Sequence, residues 1–573
     1  MTINANLKDK LKSNPFYLNN KDILWIEKVL SEMSIEDKVG HLFCPIGMTD
    51  DMNELKGMLD TYKPCGIMYR PGSGADMQKT HNFLQENSKI PMLIAANLES
   101  GGNGIATDGT TFGRQMQVAA TDDTDMAYKL GLVAGREGRA VGCNWAFAPV
   151  IDIDMNFRNP ITNIRTYGSC PDRVLKMGTA YMKGIQETGL AVSIKHFPGD
   201  GVDDRDQHLV TSVNTLGCDE WEDTFGRVYK GLINEGARSL MVGHIMLPEY
   251  SKKLRPNIKD ADIQPATLAP ELLNDLLRDE LGFNGLIVTD ATPMVGFTMV
   301  GKREDTVPES IAAGCDMFLF NKSLEEDYKY MLQGLERGIL TEDRLNEAVT
   351  RILAFKASLK LHDQKKDNTL VPSEEALNVL GCDEHQAWAS ECADQSVTLV
   401  KDTQDLLPLN TDDHKRILVM PLGDKDGYMG AGGMLPLFTE KMKAEGFEIE
   451  VFDRTGFTMR DLIQPVEDFV APYDLVLYFA NLETASNQTT IRIDWAAPMG
   501  IDAPWFAAEI PTAFVSVANP YHLQDVPRLK TFINGYTSSP YVVSAIVDKI
   551  VGKSEFKGKS PVDPFCGYWE TRL

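Results

Sequence analysis

The sequence predicts an α/β protein: an N-terminal (β/α)8 barrel of the TIM type followed by a second α/β domain. Three observations predict it. Short apolar runs alternate with helical patterns eight times between residues 41 and 337. The runs are continuously apolar rather than alternating, which suits a parallel sheet buried on both faces. A polar, Pro-containing stretch follows, and a new series of strand signals begins beyond it. A doubly wound open sheet is the alternative for the first part, because it shares the same strand–helix alternation.

The elements follow in order. Residues 20–39 read as an amphipathic helix pair with a helix-start signal at Ser34. Apolar runs fall at 41–46, 65–69, 92–96, 144–150, 191–197, 239–245, 286–289 and 315–320. Helical patterns lie between them at 51–62, 75–87, 124–141, 172–188, 219–235, 269–281, 304–313 and 323–337. One more helix covers 339–361, so the first domain is 1–362 and the linker 363–374. In the domain 375–573 a helix over 375–396 precedes strands at 397–401, 416–421, 448–452, 475–480 and 512–516. Gly427, Gly430, Gly432 and Gly433 do not form a strand–turn–helix nucleotide fingerprint, and their stretch reads as a flexible loop.

Composition narrows the function classes. A chain of 573 residues is too long for one core. The net charge of -25 argues against nucleic acid and anionic membranes, since phosphate would be repelled overall. Nine cysteines are scattered with no CxxC pair, which fits buried free thiols in a reducing compartment better than disulfides or a zinc site. Residues 1–12 lack an apolar signal core, and no run of about 18 apolar residues exists. The expectation is a cytoplasmic protein with no metal and no cofactor, acting on a small molecule; the sequence leaves its oligomeric state open.

The chemistry concentrates in Ser193–His208. An apolar run ends in Lys195 and His196, breaks at Pro198-Gly199, and enters an acidic loop closing on Asp206-Gln207-His208. Asp and His two apart meet if the loop turns tightly. The carboxylate then fixes one imidazole tautomer and makes the other nitrogen a general acid/base. A solvated acidic loop is the alternative. In a barrel the active site lies at the C-terminal strand ends. Those ends carry Asn97 and Glu99, Asp152 and Asp154, Lys195 and His196, His244, and Asp290, with Arg165 soon after Asp154. Asp290 has helix capping as its competing role. His244 reads as a hydrogen-bonded strand-end histidine.

These stretches resemble glycoside hydrolase family 3, and within it the two-domain β-N-acetylglucosaminidases of the NagZ type. The resemblance lies in NWAFAPVID (144–152), RTYG (165–168), KHFPG (195–199), Asp206-x-His208 and GLIVTDA (285–291). It continues in SVTLVK (396–401), Leu407-Pro408-Leu409, Asn519-Pro520-Tyr521 and Gly535-Tyr536. It implies that the second domain is an αβα sandwich. It also implies a retaining exo-glycosidase that removes terminal β-linked N-acetylglucosamine from small glycans such as cell-wall fragments or chito-oligosaccharides. Asp290 is then the nucleophile that forms a covalent glycosyl-enzyme, and His208, oriented by Asp206, the acid/base. Lys195, His196, Arg165, Asn97, Glu99 and Asp154 are the expected substrate-binding residues, with Asp152 or Asp154 in support.

Two departures touch the glycone. The family's usual Asp and Arg around the third strand are Asn97 and Asn103 here, and Asp200-Gly201 follows KHFPG in place of Gly-His. Three alternatives stay open. A phosphorylase would use the same site with phosphate as acceptor. A non-catalytic sugar-binding protein would not need Asp206, His208 and Asp290 together. A metal-dependent barrel enzyme would need more ligand-spaced groups than His196 and His208.

Overall fold

The structure, a computed structural model, describes residues 3, 5–424, 432–453, 463–484, 486–496 and 500–573. The chain forms two compact units. One comprises Met1–Phe112, Ala127–Asn156 and Pro171–Gln386; the other Gly113–Met126, Phe157–Cys170 and Ala387–Leu573.

The first unit is a parallel barrel. Its strands are β1 (Phe43–Cys44), β2 (Ile46–Gly47), β3 (Gly66–Tyr69), β4 (Leu93–Ala96), β5 (Trp145–Ala146) and β6 (Ala191–Phe197). A side ribbon of β7 (Ser212–Val213) and β9 (Ile245–Met246) flanks β8 (Ser239–Val242), and β10 (Leu286–Thr289) and β11 (Phe318–Leu319) complete the set. The run β2-β3-β4-β5-β6-β8-β10 is hydrogen-bonded in sequence order, all parallel. Val288 bridges Met317, and β11 pairs with β1, so the sheet returns to its start. An open sheet would leave two free edges, so the closed circuit decides for the barrel. Strands β3, β4, β6, β8 and β10 are buried along their whole length, as their predominantly apolar character requires, and in β6 the polar Ser193, Lys195 and His196 are buried with the rest. Inside, the Trp145 indole donates to the Ser239 hydroxyl (2.7 Å), which donates to the Val192 carbonyl (2.7 Å). The largest interior side chain therefore keeps its polar atom satisfied.

Helix starts follow the sequence. Ser34 forms a capping box with Asp37, and Asn19 forms one with Asp22. The stretch 363–374, expected as a linker, begins inside a helix, Leu361–Asp367.

The second unit holds a six-stranded sheet of β12 (Thr398–Asp402), β13 (Arg416–Gly423), β14 (Glu448–Val451), β15 (Leu475–Asn481), β16 (Thr512–Ser516) and β17 (Thr531–Asn534). Its order is β12-β17-β16-β15-β13-β14, with only β12 antiparallel among these described strands. Alternate residues face opposite ways. Ile417, Val419, Leu477 and Phe479 meet the helices Met434–Ala444 and Pro540–Ile550. Leu418, Met420, Val476 and Tyr478 meet Phe506, Ile510 and Leu523 on the other face. The unit is an αβα sandwich. Gly427 and Gly430 lie outside the described residues; Gly433, at φ +80°, leads into the helix Met434–Ala444. All nine cysteines are free thiols. Among the described residues no helix is long and apolar enough to cross a membrane.

Candidate active site

The C-terminal ends of β6 and β10 carry the central groups. Asp152 binds His196 twice and Asp200 once. Its Oδ2 takes the His196 Nδ1 at 2.7 Å, and its Oδ1 accepts the backbone N–H groups of His196 (3.1 Å) and Asp200 (2.8 Å). Both partners are almost fully buried. With Nδ1 engaged by the carboxylate, His196 turns Nε2 toward Asp290 Oδ2, 3.9 Å away. Of the two acids the sequence offered in support, Asp152 is the one that holds His196. Asp154 is also buried, and the backbone beside it is tied to Asp200 and Gly201 through Ile153 and Met155.

Asp290 leaves β10 with its backbone N–H donating to the Val242 carbonyl (2.8 Å), and its Oδ1 accepts the Ala291 N–H at 2.7 Å. The carboxylate thus keeps Oδ2 clear of that bond. Burial acts to raise its pKa. The imidazoles of His196 and His208 and the Ala291 N–H outweigh burial, and the carboxyl lies below its ordinary value. It is an anion fixed in place at neutral pH.

The tight turn expected between Asp206 and His208 is present. Asp206 Oδ1 accepts the His208 backbone N–H (2.8 Å) and faces its Nδ1 at 2.7 Å. The Asp206 side chain is wholly buried, whereas that of His208 is 28% exposed. The other ring nitrogen is therefore the one available to exchange a proton. The loop is sewn to the segment after Asp290: Val295 N–H donates to the His208 carbonyl (3.0 Å) and Gly296 N–H to the Gln207 carbonyl (3.1 Å). A Cβ on Gly296 would stand 2.6 Å from that Gln207 oxygen, so the close approach requires glycine. The Gln207 side chain in turn accepts the His244 N–H at 2.8 Å. These positioning groups, Gln207 and Gly296, escaped the sequence reading; only Gln207's place between Asp206 and His208 hinted at them.

Lys195 and Glu99 form a buried ion pair, Nζ to Oε1 2.6 Å. Asn97 follows β4 directly and is half-buried. Asn103 accepts from the Ser100 hydroxyl at 3.2 Å. Arg165 sits in the short 3-10 turn Asn163–Arg165 within Phe157–Cys170, a segment of the second unit, with Nη1 3.5 Å from the Ile161 carbonyl. His244 is fully buried between Thr267 Oγ1 and the Ala291 carbonyl, both at 3.1 Å. Burial pulls its pKa down to about 4, which keeps it a neutral scaffold residue. Among the described residues, the acid–histidine group with metal-like spacing is Asp22, His362 and Asp363, and two of these already bind lysines: Asp22 to Lys360 and Asp363 to Lys366.

A buried, oriented carboxylate, Asp290, thus faces one imidazole, and a second imidazole–carboxylate pair, His208 with Asp206, lies near it. Residues 34–355 match the N-terminal domain of glycosyl hydrolase family 3. A protein of Cellulomonas fimi named β-N-acetylglucosaminidase/β-glucosidase is 48% identical over 98% of this chain and 100% of its own. A solved structure titled β-glucoside phosphorylase BglX is 44% identical, covers 99% of this chain and 100% of its own, and has a TM-score of 0.93. A β-N-acetylglucosaminidase from Paenibacillus sp. str. FPU-7 shares the fold at 22% identity and a TM-score of 0.79, covering 94% of this chain and 100% of its own. The chain belongs to glycoside hydrolase family 3, and it is a glycosidase enzyme.

Proposed function

We propose that the protein cleaves terminal β-linked N-acetylglucosamine or glucose from small glycosides with retention, through a glycosyl-enzyme on Asp290. The observation that carries this reading is the pairing of an ionised, fixed Asp290 with the partly exposed His208 and its buried partner Asp206. In the first step Asp290 Oδ2 bonds to the anomeric carbon, the glycosidic C–O bond breaks, and His208 gives its proton to the departing oxygen. In the second, His208 takes a proton from the acceptor as the acceptor oxygen displaces Asp290. Asp206 holds the tautomer and stabilises the imidazolium. Lys195, His196, Arg165, Asn97, Glu99 and Asp154 bind the sugar hydroxyls, with 1–362 as the catalytic domain and 375–573 as the second. The nine free thiols support a reducing, cytoplasmic setting.

A second reading replaces water with phosphate in the second step. It is favoured by the 44% identical relative's title, β-glucoside phosphorylase. The charge balance points the same way. A carboxylate base would repel phosphate by about 4 kcal/mol at 4 Å in an effective dielectric of about 20, whereas a neutral imidazole does not. NMR of the first product from activated β-N-acetylglucosaminide and β-glucoside, with and without phosphate, tests both. Free β-anomer unchanged by phosphate identifies a hydrolase, and sugar 1-phosphate a phosphorylase. An α-configured free sugar as first product overturns the retaining mechanism.

A further inference from the structure

The second unit contains a cavity that the proposed chemistry does not use. From β13 the chain steps outward to β14, then returns past β13 to β15 on its other side. The strand order therefore reverses between β13 and β15. In open α/β sheets the crevice outside the carboxyl ends at such a reversal is where ligands bind. A cavity of about 870 Å³ opens there, lined by Asp424 after β13 and by Asn481 and Thr484 at the end of β15.

Its wall has a definite polarity. The Thr484 hydroxyl is buried, with 6% of the residue exposed, and has no hydrogen-bond partner. His522 also lines the cavity. Its Nδ1 lies 2.8 Å from Ser516 Oγ, whose single proton goes to the Asn519 carbonyl in a short bond. The histidine must then carry its own proton on Nδ1, and Nε2 is left as an acceptor. Both features ask for a ligand hydroxyl, which donates to the imidazole and pairs with the threonine.

The charges exclude an anion. The N-terminus of the helix Met434–Ala444 would attract one, but Asp424 already fills it, accepting the N–H groups of Met434 (3.0 Å) and Leu435 (2.9 Å). Asn481 Nδ2 takes up the same carboxylate at 2.7 Å. Glu483 is paired with Arg114, the lining cation Arg492 is taken up by Asp525, and Asp494 adds a further negative charge on the rim. A cation meets no unpaired buried carboxylate among these groups.

We infer that this cavity is a binding site for a neutral, hydroxyl-rich small molecule, a mono- or disaccharide. The site stands independently of the reading given to the barrel. Calorimetric titration of the full-length protein with glucose, N-acetylglucosamine, cellobiose, N,N′-diacetylchitobiose, glycerol and inorganic phosphate as separate probes tests it. Two saccharide sites per chain are expected. One of them weakens at least tenfold in Thr484→Val and severalfold in Gln488→Ala, an exposed lining residue, while kcat/KM stays within twofold. Binding by the monosaccharides alone assigns a product-sized ligand; binding by the disaccharides alone assigns a longer one. The proposal is overturned by a single site per chain for every sugar, by two sites that neither variant alters, or by glycerol or phosphate binding there as well as the sugars. Failure of the barrel reading shows separately, as no turnover of either activated glycoside by the unsubstituted protein, while the calorimetric test of this cavity still stands.

Discussion

Two histidines in the first unit are held by aspartates in the same way, and they differ in one respect. His196 and His208 each place Nδ1 2.7 Å from a buried carboxylate that also accepts the histidine's own backbone N–H. The His196 side chain is 6% exposed and its free nitrogen is closed off against Asp290. The His208 side chain is 28% exposed. Identical second-partner chemistry thus leads to different work. A histidine held between two carboxylates suits holding a sugar hydroxyl, while one with a more open nitrogen can hand a proton to something that comes and goes. On the proposed mechanism, access rather than the dyad itself separates a sugar-binding residue from an acid/base.

Variants can break this contrast, and the largest effect is expected at the anion that both imidazoles act upon. Asp290→Asn should lower kcat by about 10^4-fold or more on every leaving group. Steady-state kinetics and loss of a trapped glycosyl-enzyme in mass spectrometry measure it, and a tenfold loss would remove Asp290 from the mechanism. Next comes His208→Gln. It should cost about 10^2- to 10^4-fold on alkyl glycosides and only a few fold on dinitrophenyl glycosides, because a good leaving group needs no proton. Equal losses on both would assign His208 a structural role. Asp152→Asn should raise KM by about tenfold with no dependence on the leaving group, since it loosens a holding residue. A leaving-group dependence there would erase the distinction between the pairs. Gly296→Ala should give a smaller loss with the leaving-group signature of His208→Gln, because its Cβ would push on the Gln207 carbonyl at 2.6 Å and displace the loop.

The last test expects no change. Asp290 lies below its ordinary pKa, so its charged form persists as pH falls from 7 to 5. In His208→Gln the rate of glycosyl-enzyme formation from an activated substrate should be flat across that range. A fall in inverse proportion to proton concentration would mean that burial, not the imidazoles, governs this carboxylate.

Much of this was legible in the sequence. The barrel was readable because buried parallel strands demand apolar runs such as 65–69 and 286–288. The Asp206–His208 dyad was readable because a two-residue spacing is a local turn, settled by nearby atoms. The ends of Leu93–Ala96 and Leu286–Thr289 marked Asn97 and Asp290 by the switch from apolar to polar residues. What escaped depends on contacts between distant residues. That Asp152 rather than Asp154 grips His196, 44 residues on, is decided by how β6 lies against the segment after β5. That Gly296 seats the Gln207 carbonyl follows from a loop meeting a helix start across the mouth, and no local pattern announces it. The membership of 113–126 and 157–170 in the second unit was equally hidden, since both stretches read as ordinary connections of the barrel.

Those two excursions bear on how the protein is made. Met116, Ala120 and Ile164 pack with Ala518, Tyr521, Tyr536 and Val562 in one apolar cluster. During synthesis the early members leave the ribosome roughly 350 residues before the late ones, on the order of twenty to seventy seconds at about 5–20 residues per second. Throughout that interval the nascent chain carries apolar patches whose companions do not yet exist. This cluster closes only when residues 518–562 have been made, so the second unit cannot mature from any one continuous stretch of the chain.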